Sequence, residues 1–134
     1  MSTPASHRET HPSVTQVAEQ AYTRHSHYRE QTLQHRRFRH RHIVPLLEQL
    51  RAHSLFEVKV AGKSAEGRDI YLVKAGTGKT KVMLWSQMHG DEPTATMALF
   101  DLFNFLRQSD ELDAMRKHIL ENITLYFVPM LNPD

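Results

Sequence analysis

The sequence predicts an α/β protein in which a mixed β-sheet is flanked by helices. Segments 55–60 and 69–75 have the composition of strands and are separated by a turn-like cluster rich in small and polar residues. Two more apolar segments, 81–87 and 123–128, are separated by helical patterns, which is the order of a parallel crossover connection. An antiparallel start followed by a parallel crossover makes the predicted sheet mixed.

Apolar residues at steps of three and four predict helices at 14–33, 43–53, 92–107 and 111–118. The second of these would bury a stripe of Leu46, Leu47 and Leu50. The third has almost no polar face, so we expect it to be buried nearly all round. Strand 81–87 is nearly continuous in its apolar part, as an inner strand buried on both faces would be. Because a four-stranded sheet cannot cover the apolar surfaces of this helix and of the strands 81–87 and 123–128, we expect the fold of this chain to be incomplete.

The glycine-containing segment 76–80 (GTGKT) invites comparison with a phosphate-binding loop. That loop requires a glycine where this chain has Val73, and it must open a helix. Here a strand follows instead. We therefore interpret the segment as a hairpin turn.

Composition limits the possible classes of protein. The chain has 134 residues, of which 40% are hydrophobic and 24% are charged, as in an ordinary single globular domain. No apolar run approaches the roughly 20 residues of a membrane span, so we expect no membrane partner. The polar segment 1–13 is predicted to be a mobile tail, and the N-terminus lacks the apolar core of a signal peptide. Because cysteine is absent, a transition-metal site must use histidine and carboxylate ligands.

Charge divides the chain into two parts. Residues 1–42 contain seven Arg and three Glu, together with seven of the ten His, and form a basic, partly helical extension. Residues 43–134 contain ten Lys plus Arg and twelve Asp plus Glu. The basic run 35–42 could bind a polyanion, or it could be a solvated segment that packs through Phe38. We favour the second interpretation, because nothing else in the chain resembles a nucleic-acid-binding module.

The segment 85–93 (WSQMHGDEP) lies where a buried strand is predicted to end and a long helix to begin, which is where open α/β sheets bind ligands. His89 and Glu92 are three residues apart, so one turn can direct both towards a single ion. An imidazole and a carboxylate are part of a catalytic zinc set, which uses three protein ligands and leaves a position for water. The spacing alone also allows a plainer interpretation, in which Asp91 and Glu92 complement the helix dipole and His89 is solvated.

Three segments together resemble the zinc carboxypeptidases, the carboxypeptidase A-like metallopeptidases. Residues 62–71 (GKSAEGRDIY) resemble the family's G-x-S-x-E-G-R hairpin, and residues 89–93 (HGDEP) resemble its H-x-x-E zinc motif. Residues 129–134 (PMLNPD) resemble its P-x-x-N-P-D-G segment. Order and spacing agree over residues 43–134, which would form the N-terminal half of a catalytic domain with the fold of that family.

The resemblance implies zinc as cofactor, with His89 and Glu92 as two of its three protein ligands, and the C-terminus of a peptide or protein as substrate. In the family the third ligand, the catalytic Glu and the substrate-binding Arg, Asn and Tyr follow the N-P-D-G segment. This chain ends at Asp134, so we assign no catalytic residue and expect the 134 residues to be inactive alone. His118 precedes that segment and is not taken as the third ligand.

Three alternatives stay open. A zinc-dependent acyl-amino-acid deacylase of the succinylglutamate desuccinylase and aspartoacylase type also uses an H-G-x-E motif, although the segment Asn132-Pro133-Asp134 favours the peptidase. A non-enzymatic protein could bind a polyanion through residues 24–42, although we do not expect nucleic acid to be the partner. The chain could also be an inert remnant.

Overall fold

A computed structural model describes residues 12–134 of the chain. The predictions of a mobile tail at 1–13 and of an N-terminus without a signal peptide concern residues that lie, up to residue 11, outside the described part of the chain. The elements are α1 (Val14–Tyr28), a 3-10 turn (Gln31–Leu33), α2 (His40–Arg51), β1 (Phe56–Lys63), β2 (Asp69–Ala75), β3 (Thr80–Trp85), α3 (Thr94–Arg107), α4 (Asp113–Asn122) and β4 (Ile123–Val128). None of the helices in this part of the chain has the length and apolarity to cross a membrane.

The strands form a single mixed sheet in the order β1-β2-β4-β3. β1 pairs with β2 and β2 with β4 in antiparallel fashion, whereas β3 and β4 are parallel. Because α3 and α4 connect the two parallel strands, the predicted crossover is confirmed together with the fold class.

The prediction of a hairpin turn at 76–80 is wrong. β4 lies between β2 and β3, so this segment crosses the end of β4 instead of pairing its flanking strands. Gly78 is buried against the junction of α4 and β4, where a Cβ atom would lie 1.8 Å from the carbonyl carbon of Asn122. The glycines therefore allow a close backbone crossing, and a strand, not a helix, follows them.

The prediction that segment 81–87 is an inner strand is also wrong. Among the described residues, β3 has a neighbouring strand on one side only and is an edge of the sheet. Its side chains are largely exposed, with Met83 at 56% and Trp85 at 54% of their full accessible area. Apolar composition indicated burial, but it could not show on which side of β4 the strand lies.

Helix α3 was expected to be buried nearly all round, and the structure buries one face of it. That face packs on the sheet through Leu99, Phe100, Phe103 and Leu106. The face that includes Ala95 and Ala98 is exposed. Alanine is small enough to leave little apolar surface in water, so the helix tolerates this exposure.

Helix α2 and the segment that precedes it pack on the same core as the sheet. Leu33 and Ile43 are each 1% exposed, and they anchor the two ends of the basic run. Phe38, between them, is half-buried against the core, as the solvated-segment interpretation predicted. The predicted helix 14–33 stops at Tyr28, because Glu30 is extended and its backbone N–H donates to the carboxylate of Asp101 on α3.

Buried Arg116 on α4 connects three of these helices. Its guanidinium is 2.7 Å from the carboxylate of Asp110, which also accepts a hydrogen bond from the hydroxyl of Tyr28 on α1. Its Nε donates to the carbonyl oxygen of Phe105 on α3. The hydrogen bond from Arg116, more than any other contact, lowers the pKa of Asp110 and keeps this buried pair charged. These contacts hold the C-terminal end of α1 against α3 and α4.

Candidate metal and substrate site

The candidate site is a turn, residues 86–93, that follows the carboxyl end of β3. Parallel pairing continues past the strands: the N–H of Ser86 donates to the carbonyl of Val128, and the N–H of Leu131 donates to that of Ser86. The N–H of Asn132 then donates to the carbonyl of Gln87 at 2.9 Å. Backbone hydrogen bonds therefore join the segment 129–134 to Ser86 and Gln87, at the start of the turn that carries the motif 89–93.

Gln87 fixes the course of this turn. It has a φ of 50°, which is uncommon for a residue with a side chain. Its Nε2 donates to the carbonyl oxygen of Gly90 at 2.7 Å, and its Oε1 accepts from the hydroxyl of Thr96 at 2.8 Å. Because Gln87 and Thr96 are buried, these bonds form away from competing water and offset the backbone strain.

Ser86 completes the buried polar group under the turn. Its hydroxyl donates to the carbonyl oxygen of Pro129 at 2.5 Å and lies 2.9 Å from the hydroxyl of Thr96. Since Ser86 supplies a hydrogen to that carbonyl, the hydroxyl of Thr96 can donate to Gln87. The side chains of Ser86, Gln87 and Thr96 thus hold the first turn of α3 against the ends of β3 and β4.

His89 and Glu92 face each other on the exposed side of the turn. The distance from His89 Nδ1 to Glu92 Oε2 is 3.3 Å, and the two side chains are 64% and 69% exposed. A further hydrogen bond, from the N–H of Glu92 to the carbonyl of His89, closes the turn between them. The structure therefore brings together the two residues that the sequence singled out.

No third metal-binding side chain joins them within residues 12–134. No group of three or more His, Cys, Asp and Glu side chains in this range could hold an ion. His118 lies on α4, just before β4 begins, whereas His89 follows the end of β3. Since these strands run parallel, the two imidazoles lie at opposite ends of the strands.

The third motif also contacts the first. The carboxylate of Asp134 accepts hydrogen bonds from the Ser64 hydroxyl at 2.6 Å, the N–H of Glu66 at 3.0 Å and Nη1 of Arg68 at 2.6 Å. The hydrogen bond from Ser64, above all, lowers the pKa of Asp134. The hairpin 64–68 is therefore a binding loop for this carboxylate, and it positions residues 129–134 beside the turn.

Two clefts border the candidate site. One, of about 780 Å³, is lined by the basic run and by Gly90, Asp91, Asn132 and Asp134. The other, of about 580 Å³, includes Glu92 and Trp85, and Arg36 lines both. The site is therefore open to solvent and flanked by cationic side chains.

The positioning roles of Gln87 and Thr96 were not predicted from the sequence. The sequence did contain an indication of these roles. Thr96 places a hydroxyl on the otherwise apolar face of α3, ten residues after Ser86. A buried polar side chain needs a hydrogen-bonding partner, so this threonine could have indicated contact with a turn.

Comparison with known proteins identifies the family. Residues 43–134 match the zinc carboxypeptidase family, and the chain belongs to that family. It is 26% identical to mouse carboxypeptidase M over 88 residues, which are 60% of this chain and 20% of that protein. A putative carboxypeptidase A from Shewanella denitrificans has a TM-score of 0.63 and 26% identity, over 70% of this chain and 25% of that one. A Pseudomonas aeruginosa metallo-carboxypeptidase, solved with (2-guanidinoethylmercapto)succinic acid, has a TM-score of 0.59 and 26% identity over the same shares.

The chain spans about a fifth of the curated relative and a quarter of the solved structures. Family membership supports a metallopeptidase and zinc as its metal. It gives no support to the deacylase or to the polyanion-binding alternative.

Proposed function

We propose that residues 43–134 are the N-terminal portion of a zinc metallocarboxypeptidase domain in which His89 and Glu92 bind the metal. The observation that carries this proposal is the 3.3 Å distance between His89 Nδ1 and Glu92 Oε2 at the end of a parallel strand. The substrate of the complete domain is then the C-terminus of a peptide or protein.

The distance between the two side chains fits zinc. Imidazole nitrogen and carboxylate oxygen bind zinc at roughly 2.0–2.1 Å in tetrahedral geometry, which separates two ligand atoms by about 3.3 Å. When bound, zinc supplies a Lewis acid that polarises a peptide carbonyl and activates water. Both side chains are exposed, so an ion reaches them without rearrangement of the fold.

The chain's own residues position this pair. Gln87 and Thr96 hold the turn on which His89 lies, and Asp134 holds the neighbouring segment against the hairpin 64–68. None of the described residues is assigned as a proton donor or acceptor. The proposal therefore includes the expectation that the 134-residue chain does not hydrolyse peptides by itself, because two ligands hold the metal poorly and no general base is assigned.

Zinc titration of the full chain tests the ligand assignment. His89→Ala and Glu92→Gln should each weaken zinc binding, whereas His118→Ala and Asp91→Asn should leave it unchanged. The other imidazoles are common to all four variants, so differences between variants report on this site alone. Equal zinc affinity in the wild type and in both ligand variants contradicts the proposal.

A peptidase assay tests the expectation of inactivity. The purified chain should release no C-terminal residue from a panel of peptides in the presence of zinc. Release that is abolished by a chelator and by His89→Ala would overturn that expectation while supporting the metal site.

A further inference from the structure

The cleft beside the turn 86–93 has a cationic wall that comes from outside the family-matched region. Arg36, Arg37, Arg39 and Arg41 line the cleft of about 780 Å³, whereas the family match begins at residue 43. All four arginine residues are exposed, and in the described part of the chain none of them has an ion-pair partner. Their charges are therefore available to a ligand.

Acidic groups within the cleft do not neutralise this wall. Asp134 is paired with Arg68, which also pairs with Glu66, so this group leaves one surplus negative charge against the four arginine residues. Asp91 is the remaining carboxylate of the lining, against four unpaired guanidinium groups. The cleft consequently keeps an excess of positive charge beside His89 and Glu92.

Packing contacts hold the basic run 35–42, which carries these arginine residues, in place on the protein. Leu33 before it and Ile43 after it are buried in the core, and half-buried Phe38 packs against the same core. His40 Nε2 lies 2.8 Å from the carbonyl of Asp69 on β2, which fixes the start of α2 at the cleft. A charged segment held in place on both sides loses less conformational entropy when it binds a ligand.

We infer that this cleft selects peptides with acidic side chains close to their C-terminus, and that Arg36 and Arg37 carry much of the selectivity. The inference rests on the proposed function for the nature of the ligand, a peptide. Guanidinium groups pair well with carboxylates, and Arg36 also lines the smaller cleft that contains Glu92. An acidic side chain bound there would lie next to the candidate metal site.

Nucleic acid is the less suitable polyanion for this surface. Single-stranded nucleic acids are bound by stacking bases on aromatic side chains as well as by charge. Phe38 is the aromatic residue of the basic run, and it is half-buried against the core, which leaves only part of its ring on the cleft for stacking. The geometry therefore favours an acidic peptide.

Fluorescence anisotropy with the full chain tests the inference, in a chelator so that zinc plays no part. The probes are a short labelled peptide ending in glutamates, the same peptide ending in glutamines, and a single-stranded DNA oligonucleotide. We expect the glutamate peptide to bind about tenfold or more tightly than the glutamine peptide, with an affinity that falls as salt is added.

Arg36→Ala combined with Arg37→Ala should weaken binding of the glutamate peptide about fivefold or more. The matched control, Arg29→Ala combined with Lys81→Ala, removes the same charge at exposed positions away from the cleft and should have little effect. Circular dichroism of all variants establishes that they are folded.

Equal binding of the two peptides, equal loss in the two double variants, or tighter binding of DNA than of the glutamate peptide would each overturn the inference. These outcomes do not depend on the metal. If the ligand variants bind zinc as the wild type does but the glutamate peptide is still preferred, only the proposed metal site is contradicted. If the ligand variants lose zinc affinity but the two peptides bind equally, only the acidic selectivity is contradicted.

Discussion

The guanidinium of Arg68 donates a hydrogen bond of 2.6 Å to the carboxylate of Asp134, which lies 66 residues further along the chain. The same carboxylate is bound by Ser64 and by the backbone N–H of Glu66. This contact joins the first and third sequence motifs, and the third motif then hydrogen-bonds to the turn that carries the second. Three separate segments therefore form one structure around His89 and Glu92.

The first prediction concerns the charge of Asp134. The structure lowers the pKa of this carboxyl group through its hydrogen bond with Ser64, so the ionised form is favoured in the folded state. Stabilisation by this group is therefore present above the ordinary carboxyl range, about pH 4, and is lost as the pH falls through the lowered folded-state pKa. Asp134→Asn should reduce the free energy of unfolding at pH 7, and the difference from the wild type should shrink on acidification.

Urea unfolding of both proteins between pH 7 and about pH 3 measures this difference, since acid titration of the other carboxylates is common to both. Asp91→Asn is the matched control, because none of the described residues forms an ion pair with Asp91. If the difference in the free energy of unfolding between Asp134→Asn and the wild type grew towards acid pH, the predicted direction of the pH dependence would be wrong.

A second prediction concerns the buried hydroxyl of Thr96. Thr96→Val keeps the shape of the side chain but removes the donor to Gln87, leaving a buried amide oxygen unsatisfied. We expect a loss of about 1–3 kcal/mol in the free energy of unfolding, because an unpaired buried polar group retains its full desolvation cost. Thr94→Val, at an exposed position on the same helix, should change stability by no more than about 0.5 kcal/mol. Similar values for the two variants in urea unfolding would refute the role assigned to Thr96.

The third prediction tests the crossing at Gly78. A Cβ atom there would lie 1.8 Å from the carbonyl carbon of Asn122 and 2.0 Å from the nitrogen of Ile123, and both are backbone atoms. Gly78→Ala should therefore destabilise the protein by about 3 kcal/mol or more, since the backbone must shift to make room. Gly62→Ala should be tolerated, because no atom lies within 4 Å of its Cβ position. Thermal melts of the two variants should differ clearly, and matching melting temperatures would contradict the crossing.

The fourth prediction follows from the exposed edge at β3. An edge strand with exposed apolar side chains can pair with a second copy, so we expect the chain to self-associate as its concentration rises. Met83→Lys should reduce this association, because a charge on an edge strand opposes strand pairing. Tyr22→Lys, on α1, places the same charge at a residue that is 85% exposed and should have no such effect. Analytical ultracentrifugation distinguishes them, and a wild-type chain that stays monomeric throughout would contradict the prediction.

Local patterns were enough to predict several elements of the fold. β2 and β4 have the predicted bounds, and the parallel crossover follows from the order of strands and helices along the chain. The pairing of His89 with Glu92 was also predictable, because residues three apart in a turn lie close together whatever surrounds them.

Other features depended on contacts between distant segments. The position of β4 between β2 and β3 made segment 76–80 a crossing and left β3 at the edge. Periodicity reports which side of an element is apolar, but it does not report which neighbour covers that side. For the same reason, the stripe on α3 indicated burial without showing that part of the helix surface would remain exposed.

The sequence by itself determined most of the elements, the mixed sheet, the basic character of residues 1–42 and the family resemblance, because each of these follows from local pattern or composition. Only the tertiary structure decided that Asp134 is bound by the hairpin 64–68, that Thr96 holds the turn through Gln87, and that Arg36 and Arg37 line the cleft beside that turn. Those contacts join residues far apart in the chain. Their geometry is fixed by how the core packs, which no local pattern records.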